Sequence, residues 1–158
     1  GMNNNFKNKL FKTLLSTIDY IHSQNIVHAD INPSNIMING NDISLFDFGI
    51  SQNTNKNKEI ELEYNKVKAY NPKYSAPEIL LGEKPNKQSD IFSFACIMFE
   101  VYNSKALFTE NSLNETKNNK YAYDLSNIPI ILRNWFKNSL NINPHKRVLK
   151  PMFINLFK

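Results

Sequence analysis

The sequence predicts a mainly α fold with small β-hairpins, in which a helical lobe is built round one buried central helix. Three observations predict it. Phe11, Leu14, Leu15, Ile18 and Ile21 recur at helical spacing and mark one apolar face on a helix spanning about residues 6–22. Residues 91–101 are apolar almost all round, the pattern of a helix buried on every side. Between these two, Ile36-Met37-Ile38, then Asn39-Gly40, then Ile43-Ser44-Leu45-Phe46 read as antiparallel strands joined by a tight turn at Asn-Gly.

The other elements follow in order. Asn25-Ile26-Val27 is a short strand after the first helix, and a loop leads from it into the hairpin. Residues 51–74 are polar and irregular, most visibly the asparagine-rich stretch 52–58. Asp90 opens the buried helix, a carboxylate near a helix N-terminus, where backbone N–H groups favour negative charge. Residues 130–140, with Trp135 and Phe136, predict another packed helix, and residues 151–157 a short closing one. Gly1-Met2 has the form of a cleaved tag, so residues 1–5 are expected to be a tag remnant or flexible start and residues 6–158 a single lobe.

Composition bounds the function classes. A chain of 158 residues, 41% hydrophobic and 12% aromatic, can bury a core and is not a disordered tail. No apolar run approaches a bilayer span and no signal peptide is visible, which predicts a cytoplasmic protein with no membrane partner, secretion as an effector being the alternative. Cys96 lies in a strongly apolar segment and is expected to be an inert buried thiol. The net charge of +5 comes from lysines scattered among asparagines, so a solvated surface is expected and no nucleic-acid partner.

The chemistry-bearing residues cluster around the hairpin. His28-Ala29-Asp30 is followed at the fifth residue by Asn35, and Asp47-Phe48-Gly49 follows the second strand. In order, these supply a carboxylate that can orient a hydroxyl, an amide oxygen for a metal and a second carboxylate for that metal. Mg²⁺ takes such oxygen ligands, with nucleotide phosphates completing its shell. The hairpin would bring Asn35, at one strand's start, near Asp47, at the other's end.

Over nearly all its length the chain resembles the C-terminal lobe of a eukaryotic-type protein kinase. The catalytic-loop pattern H-R-D-x-K-P-x-N stands here as His28-Ala29-Asp30-Ile31-Asn32-Pro33-Ser34-Asn35, residues 28–35. Asp47-Phe48-Gly49 matches DFG and Ala76-Pro77-Glu78 matches APE, which bounds an activation segment of residues 47–78. Asp90-Ile91-Phe92-Ser93-Phe94-Ala95 is similar to the start of the family's central helix, and Asn143-Pro144-His145-Lys146-Arg147 to the arginine motif that pairs with the APE glutamate, here Glu78. One motif alone would be weak, but five in order and at the right intervals are specific.

The resemblance implies ATP- and Mg²⁺-dependent phosphoryl transfer to a protein hydroxyl. Asp30 and Asn32 would be the catalytic pair, Asn35 and Asp47 the metal and nucleotide ligands, and Met37 an apolar floor beneath the adenine. His28 would be structural, packing on Phe48 and bonding backbone. Such catalysis is mostly positioning and charge stabilisation. Ala29 stands where an arginine clamps an activation-loop phosphate (the non-RD pattern), so no phosphate switch is expected at Ser51, Thr54, Tyr64, Tyr70 or Tyr74.

Three departures bear on activity. Asn32 replaces the lysine that contacts the transferring phosphate, and losing one aimed electrostatic donor costs on the order of 10²–10³ in rate. Tyr70-Asn71 replaces Gly-Thr, with Asn71 expected to bond Asn32 and Asp30 instead. These residues also hold no glycine-rich loop and no V-A-I-K lysine, the parts of the N-lobe that cover ATP. The isolated chain is therefore expected to be weakly active or inactive. Two readings follow: a kinase lobe needing an N-lobe in cis or trans, or a pseudokinase or truncated remnant that binds a partner protein. Met37, Phe48 and their neighbours are expected to be uncovered, which predicts a homodimer or a partner lobe on that face.

Overall fold

The computed structural model describes residues 2–46, 52–53, 70–117 and 123–158. Helix α1 spans Asn4–Ser23, two residues earlier at its start than its apolar face suggests. The reason is a cap: Asn3 Oδ1 accepts the Phe6 amide at 2.8 Å, satisfying one of the free donors of the first turn. Its apolar face is buried, with Phe11 and Ile18 fully excluded from solvent.

Strand β1 (Ile26–Val27) pairs antiparallel with β4 (Gln52–Asn53), and β2 (Ile36–Asn39) with β3 (Asp42–Leu45). The hairpin register sets Ile36 opposite Leu45 and Asn39 opposite Asp42. The turn is therefore Gly40-Asn41, one residue later than the Asn39-Gly40 expected from sequence. Gly40 has φ +61°, the positive value that the first central position of a primed two-residue turn requires.

Helix α2 is the single turn Pro77–Leu80, and α3 spans Lys87–Asn103. A capping box starts α3: Asn86 Oδ1 accepts from Ser89 N and Ser89 Oγ from Asn86 N, both at 2.9 Å. Asp90 lies in the first turn of α3, near the helix start as the sequence predicts. As its all-round apolar sequence predicts, α3 is buried on every side, from Ile91 through Phe99 to Tyr102. Helix α4 (Ser112–Lys117) is short, and α5 (Ile130–Ser139) packs on α3. The closing helix expected over residues 151–157 reduces to one 3₁₀ turn, Ile154–Leu156.

Aromatic rings join α1, α3 and α5. Trp135 meets Phe11 edge-on at 5.0 Å between ring centroids, Phe94 at 5.4 Å and Phe136 at 4.9 Å, an arrangement that adds to simple burial. Cys96 sits in this core, 1% exposed, and burial pushes its thiol far up from the ordinary range. Among the described residues no helix is long and apolar enough to cross a membrane. The architecture is the mainly helical lobe round a buried central helix that the sequence predicts.

Candidate active site

Asp90 organises the site from within α3. Its carboxylate, 1% exposed, accepts the His28 amide at 2.8 Å, the Ala29 amide at 2.9 Å and His22 Nε2 at 2.9 Å. A buried charge is tolerated only when paired and hydrogen-bonded, and these three donors satisfy it. The sequence places Asp90 near a helix start; its role in the structure is to anchor the loop 62 residues earlier. No local signal in one sequence reveals that contact, or the part His22 plays in it.

The anchored loop is bent at Ala29, whose φ of +72° lies in the left-handed region that a residue with a β-carbon seldom adopts. Its methyl borders a void of about 10 Å³ beside Tyr70 and Ser75, room for about one water molecule. His28, fully buried, braces the turn from the other side. Its Nδ1 accepts the Asp30 amide at 3.1 Å and its Nε2 lies 2.9 Å from the Phe46 carbonyl. An N–H must face a carbonyl and a lone pair must face an amide, so the ring holds its proton on Nε2. The imidazole thereby ties the loop to the end of β3, and Phe48, its other expected contact, lies outside the described residues.

Asp30 is held by two amides. Asn32 Nδ2 donates to its Oδ1 at 3.0 Å and to its carbonyl at 3.1 Å. Asn35 Nδ2 donates to its Oδ2 at 3.1 Å and to its carbonyl at 2.7 Å. Both asparagines are buried, whereas Asp30 is only half-buried, so its carboxylate keeps access to solvent. The sequence makes this geometry locally: Asn32 caps the 3₁₀ turn Pro33–Asn35 by accepting the Ser34 amide at 2.9 Å, and it also accepts the Ser34 hydroxyl. That turn aims Asn35 back at Asp30. A carboxylate only accepts, so the Asn35 amide nitrogen must face it, which leaves Oδ1, the atom a hard cation takes, on the other side.

The structure thus brings Asp30, Asn32 and Asn35 together. Phe46 N donates to the Asn35 carbonyl at 2.9 Å, extending the hairpin ladder to the residue before Asp47. Asp47 itself lies outside the described residues. Met37 is on β2, 57% exposed, with Ile38 and Phe46 uncovered beside it. Asn71 does not take the expected place beside Asn32 and Asp30. It is exposed, and its Oδ1 accepts the Lys73 amide at 3.1 Å, a local turn that satisfies the side chain without reaching the loop.

The chain around Glu78 is pinned by a buried ion pair. Arg147, 3% exposed, meets Glu78 in a fork, Nη1 to Oε1 at 2.6 Å and Nη2 to Oε2 at 3.0 Å. Its other donors reach the carbonyls of Asn141, Gln88 and Ile142, and its guanidinium lies 4.9 Å from the Phe92 ring centroid. Tyr74 donates to Glu100 Oε1 at 2.9 Å, and burial together with that carboxylate pushes its phenol far up. Its hydroxyl is committed inside the fold. Ser51, Thr54 and Tyr64 lie outside the described residues.

A sequence model of the protein kinase domain matches residues 2–156. The chain belongs to the protein kinase family. Among its relatives, mitogen-activated protein kinase 3 of Arabidopsis thaliana is 39% identical over 60% of this chain and 25% of its own length. A probable serine/threonine-protein kinase of Dictyostelium discoideum is 31% identical over 94% of this chain and 36% of its own. The serine/threonine-protein kinase PKH2 of Saccharomyces cerevisiae is 32% identical over 85% of this chain and 14% of its own. The chain therefore spans between about a seventh and a third of the length of these kinases. Within that span lie the Asp30 cluster, the Glu78–Arg147 pair and the buried central helix α3.

Proposed function

We propose that this chain is the catalytic lobe of an ATP- and Mg²⁺-dependent protein kinase, acting on a protein hydroxyl and completed by an N-lobe in cis or trans. The observation that carries the reading is Asp30, accessible yet held at both carboxylate oxygens by Asn32 and Asn35. Phosphoryl transfer asks chiefly for positioning and charge stabilisation, and a carboxylate fixed at both oxygens can orient an incoming hydroxyl without reorganising. Asn35 Oδ1 suits a hard cation, and Asp47 would be its second protein ligand. The metal would neutralise charge on the nucleotide phosphates. Met37, exposed on β2, would floor the adenine, and the uncovered apolar face it shares with Phe46 suits a covering lobe or a second copy.

Asn32 favours a second reading. Its amide nitrogen is turned inward to Asp30 and its oxygen to Ser34, so it orients Asp30 and offers nothing to a phosphate. A lobe with no cation at that position is suited to a pseudokinase or remnant that docks a partner protein.

Calorimetry with ATP and Mg²⁺ on the chain, with Asp47→Ala as control, separates the two. Metal-dependent binding that disappears in the control supports the catalytic lobe. No binding at about 1 mM nucleotide, roughly 4 kcal/mol of affinity or less, favours the docking module.

A further inference from the structure

We propose that the groove between α5 and the C-terminal segment docks a short acidic, apolar peptide segment of a partner protein. The groove encloses about 470 Å³, within the range of about 300–1,000 Å³ that binding pockets occupy. Ile131 and Trp135 of α5 form one wall, and Val148, Met152 and Phe153 the other. It shares no residue with the Asp30 cluster, so it stands whichever reading of that site holds.

The wall from the C-terminal segment does not serve the fold's own core. Val148 is 62% exposed, Met152 72% and Phe153 64%. Phe153 has φ +64°, a left-handed conformation that is an outlier for a bulky residue, and the ring it presents stays in solvent. The groove is also preformed: Trp135 Nε1 donates to the carbonyls of Val148 and Leu149, each at 2.9 Å, which fixes the second wall to α5. A fixed groove loses little entropy on binding.

Charge selects the occupant. After Asp124 the chain contains no Asp or Glu, yet it carries Arg133, Lys137, Lys146, Arg147, Lys150 and Lys158. The first 124 residues hold 13 Lys and Arg against 14 Asp and Glu, so the net positive charge resides entirely in this last segment. Arg147 is spent on Glu78, but Lys137, Lys146, Lys150 and Lys158 are exposed. Among the described residues no carboxylate lines the groove, and Asn134, Asn138 and Lys150 are its polar members. Lys150 pairs with Asp19 at 3.1 Å, an exposed pair worth about 1 kcal/mol or less and so readily exchanged for a ligand carboxylate. A second copy would bring the same positive face and be repelled. A lipid surface favours protruding apolar groups, whereas Trp135, only 5% exposed, sits in the wall of a concavity.

The single tryptophan, Trp135, is a built-in reporter. The probe is a synthetic peptide with leucines and a phenylalanine set among aspartates and glutamates, compared with a counterpart in which lysines replace the acids. The acidic peptide is expected to shift Trp135 emission, with affinity falling about tenfold as salt rises from about 0.05 M to about 0.5 M. The lysine peptide should leave emission unchanged. Val148→Asp and Lys150→Glu, both at exposed positions and checked for folding by circular dichroism, should each weaken binding about tenfold or more. The proposal is overturned if both peptides bind alike or if neither binds at about 1 mM. It is equally overturned if only anionic phosphatidylserine vesicles shift the emission, which would reassign the face to a lipid surface.

Discussion

Replacing Asp90 with asparagine isolates the contact that shapes the loop carrying Asp30. The substitution keeps the side chain's shape but leaves one acceptor oxygen where there were two. In its better orientation the amide oxygen retains His28 N and His22 Nε2, and the amide nitrogen then faces the Ala29 N–H, donor against donor. One charge-assisted hydrogen bond is lost, about 1.5–3 kcal/mol, and the two retained bonds lose their charge assistance, about 0.5–1 kcal/mol each. The sum is about 2.5–5 kcal/mol, a large share of the ~5–15 kcal/mol that a folded domain has in total. Urea unfolding followed by Trp135 fluorescence, at unchanged m, measures it. The same carboxylate holds Ala29 in its left-handed conformation. In the Asp90→Asn background, therefore, Ala29→Gly should stabilise less than in the parent, by about 0.5–1 kcal/mol of coupling. A loss under about 1 kcal/mol, with additive effects of the two substitutions, would refute the claim that Asp90 holds the loop.

Arg147→Lys keeps the charge but not the five-donor fork, so the Asn141 carbonyl and one Glu78 oxygen lose their partners. A loss of about 2–4 kcal/mol in the same urea assay is expected. Ala29→Gly alone relieves about 1–2 kcal/mol of left-handed strain and gives back about 0.4–1 through unfolded-chain entropy, so a net gain of about 0.5–1 kcal/mol should appear as a raised Tm. Burial raises the Tyr74, Tyr102 and Tyr123 phenols above 10.0 and the Cys96 thiol above 9.0. Raised groups bind more protons when folded. Their contribution is therefore complete below about pH 9 and lost as pH rises further; Tm should fall from pH 9 to 11, and less steeply in Tyr102→Phe. If the Met37 face takes a second copy, Met37→Asp should reduce the mass seen by light scattering at high concentration, and an unchanged monomer in both proteins would exclude self-association there.

The fold was legible where a feature is local and repeated. The apolar face of α1 and the all-round apolar α3 are periodic signals, and both elements form as the pattern predicts. Positions set by competition between equivalent neighbours were not. In the run Asn3-Asn4-Asn5 every residue is able to cap, and sequence alone does not say that Asn3 wins. In Asn39-Gly40-Asn41 two adjacent turns are chemically acceptable, and the pairing of Ile36 with Leu45 decides between them. At the candidate site the types and spacing of Asp30, Asn32 and Asn35 were readable, because a short capped turn brings them together. The direction of the Asn32 amide and the reach of Asp90 were not, since both depend on partners that only the folded chain supplies.

The Glu78–Arg147 fork also bears on how the chain is made. Its two halves lie 69 residues apart. At about 5–20 residues per second, a ribosome needs roughly 3–14 s to travel from one codon to the other. Throughout that interval Glu78 has no guanidinium to meet, and burying its carboxylate would cost several kcal/mol. The nascent lobe must therefore keep that carboxylate in water, and with it the α2 turn that carries it. Closure of this part of the lobe waits for Arg147 to be made and does not follow directly on the synthesis of Glu78.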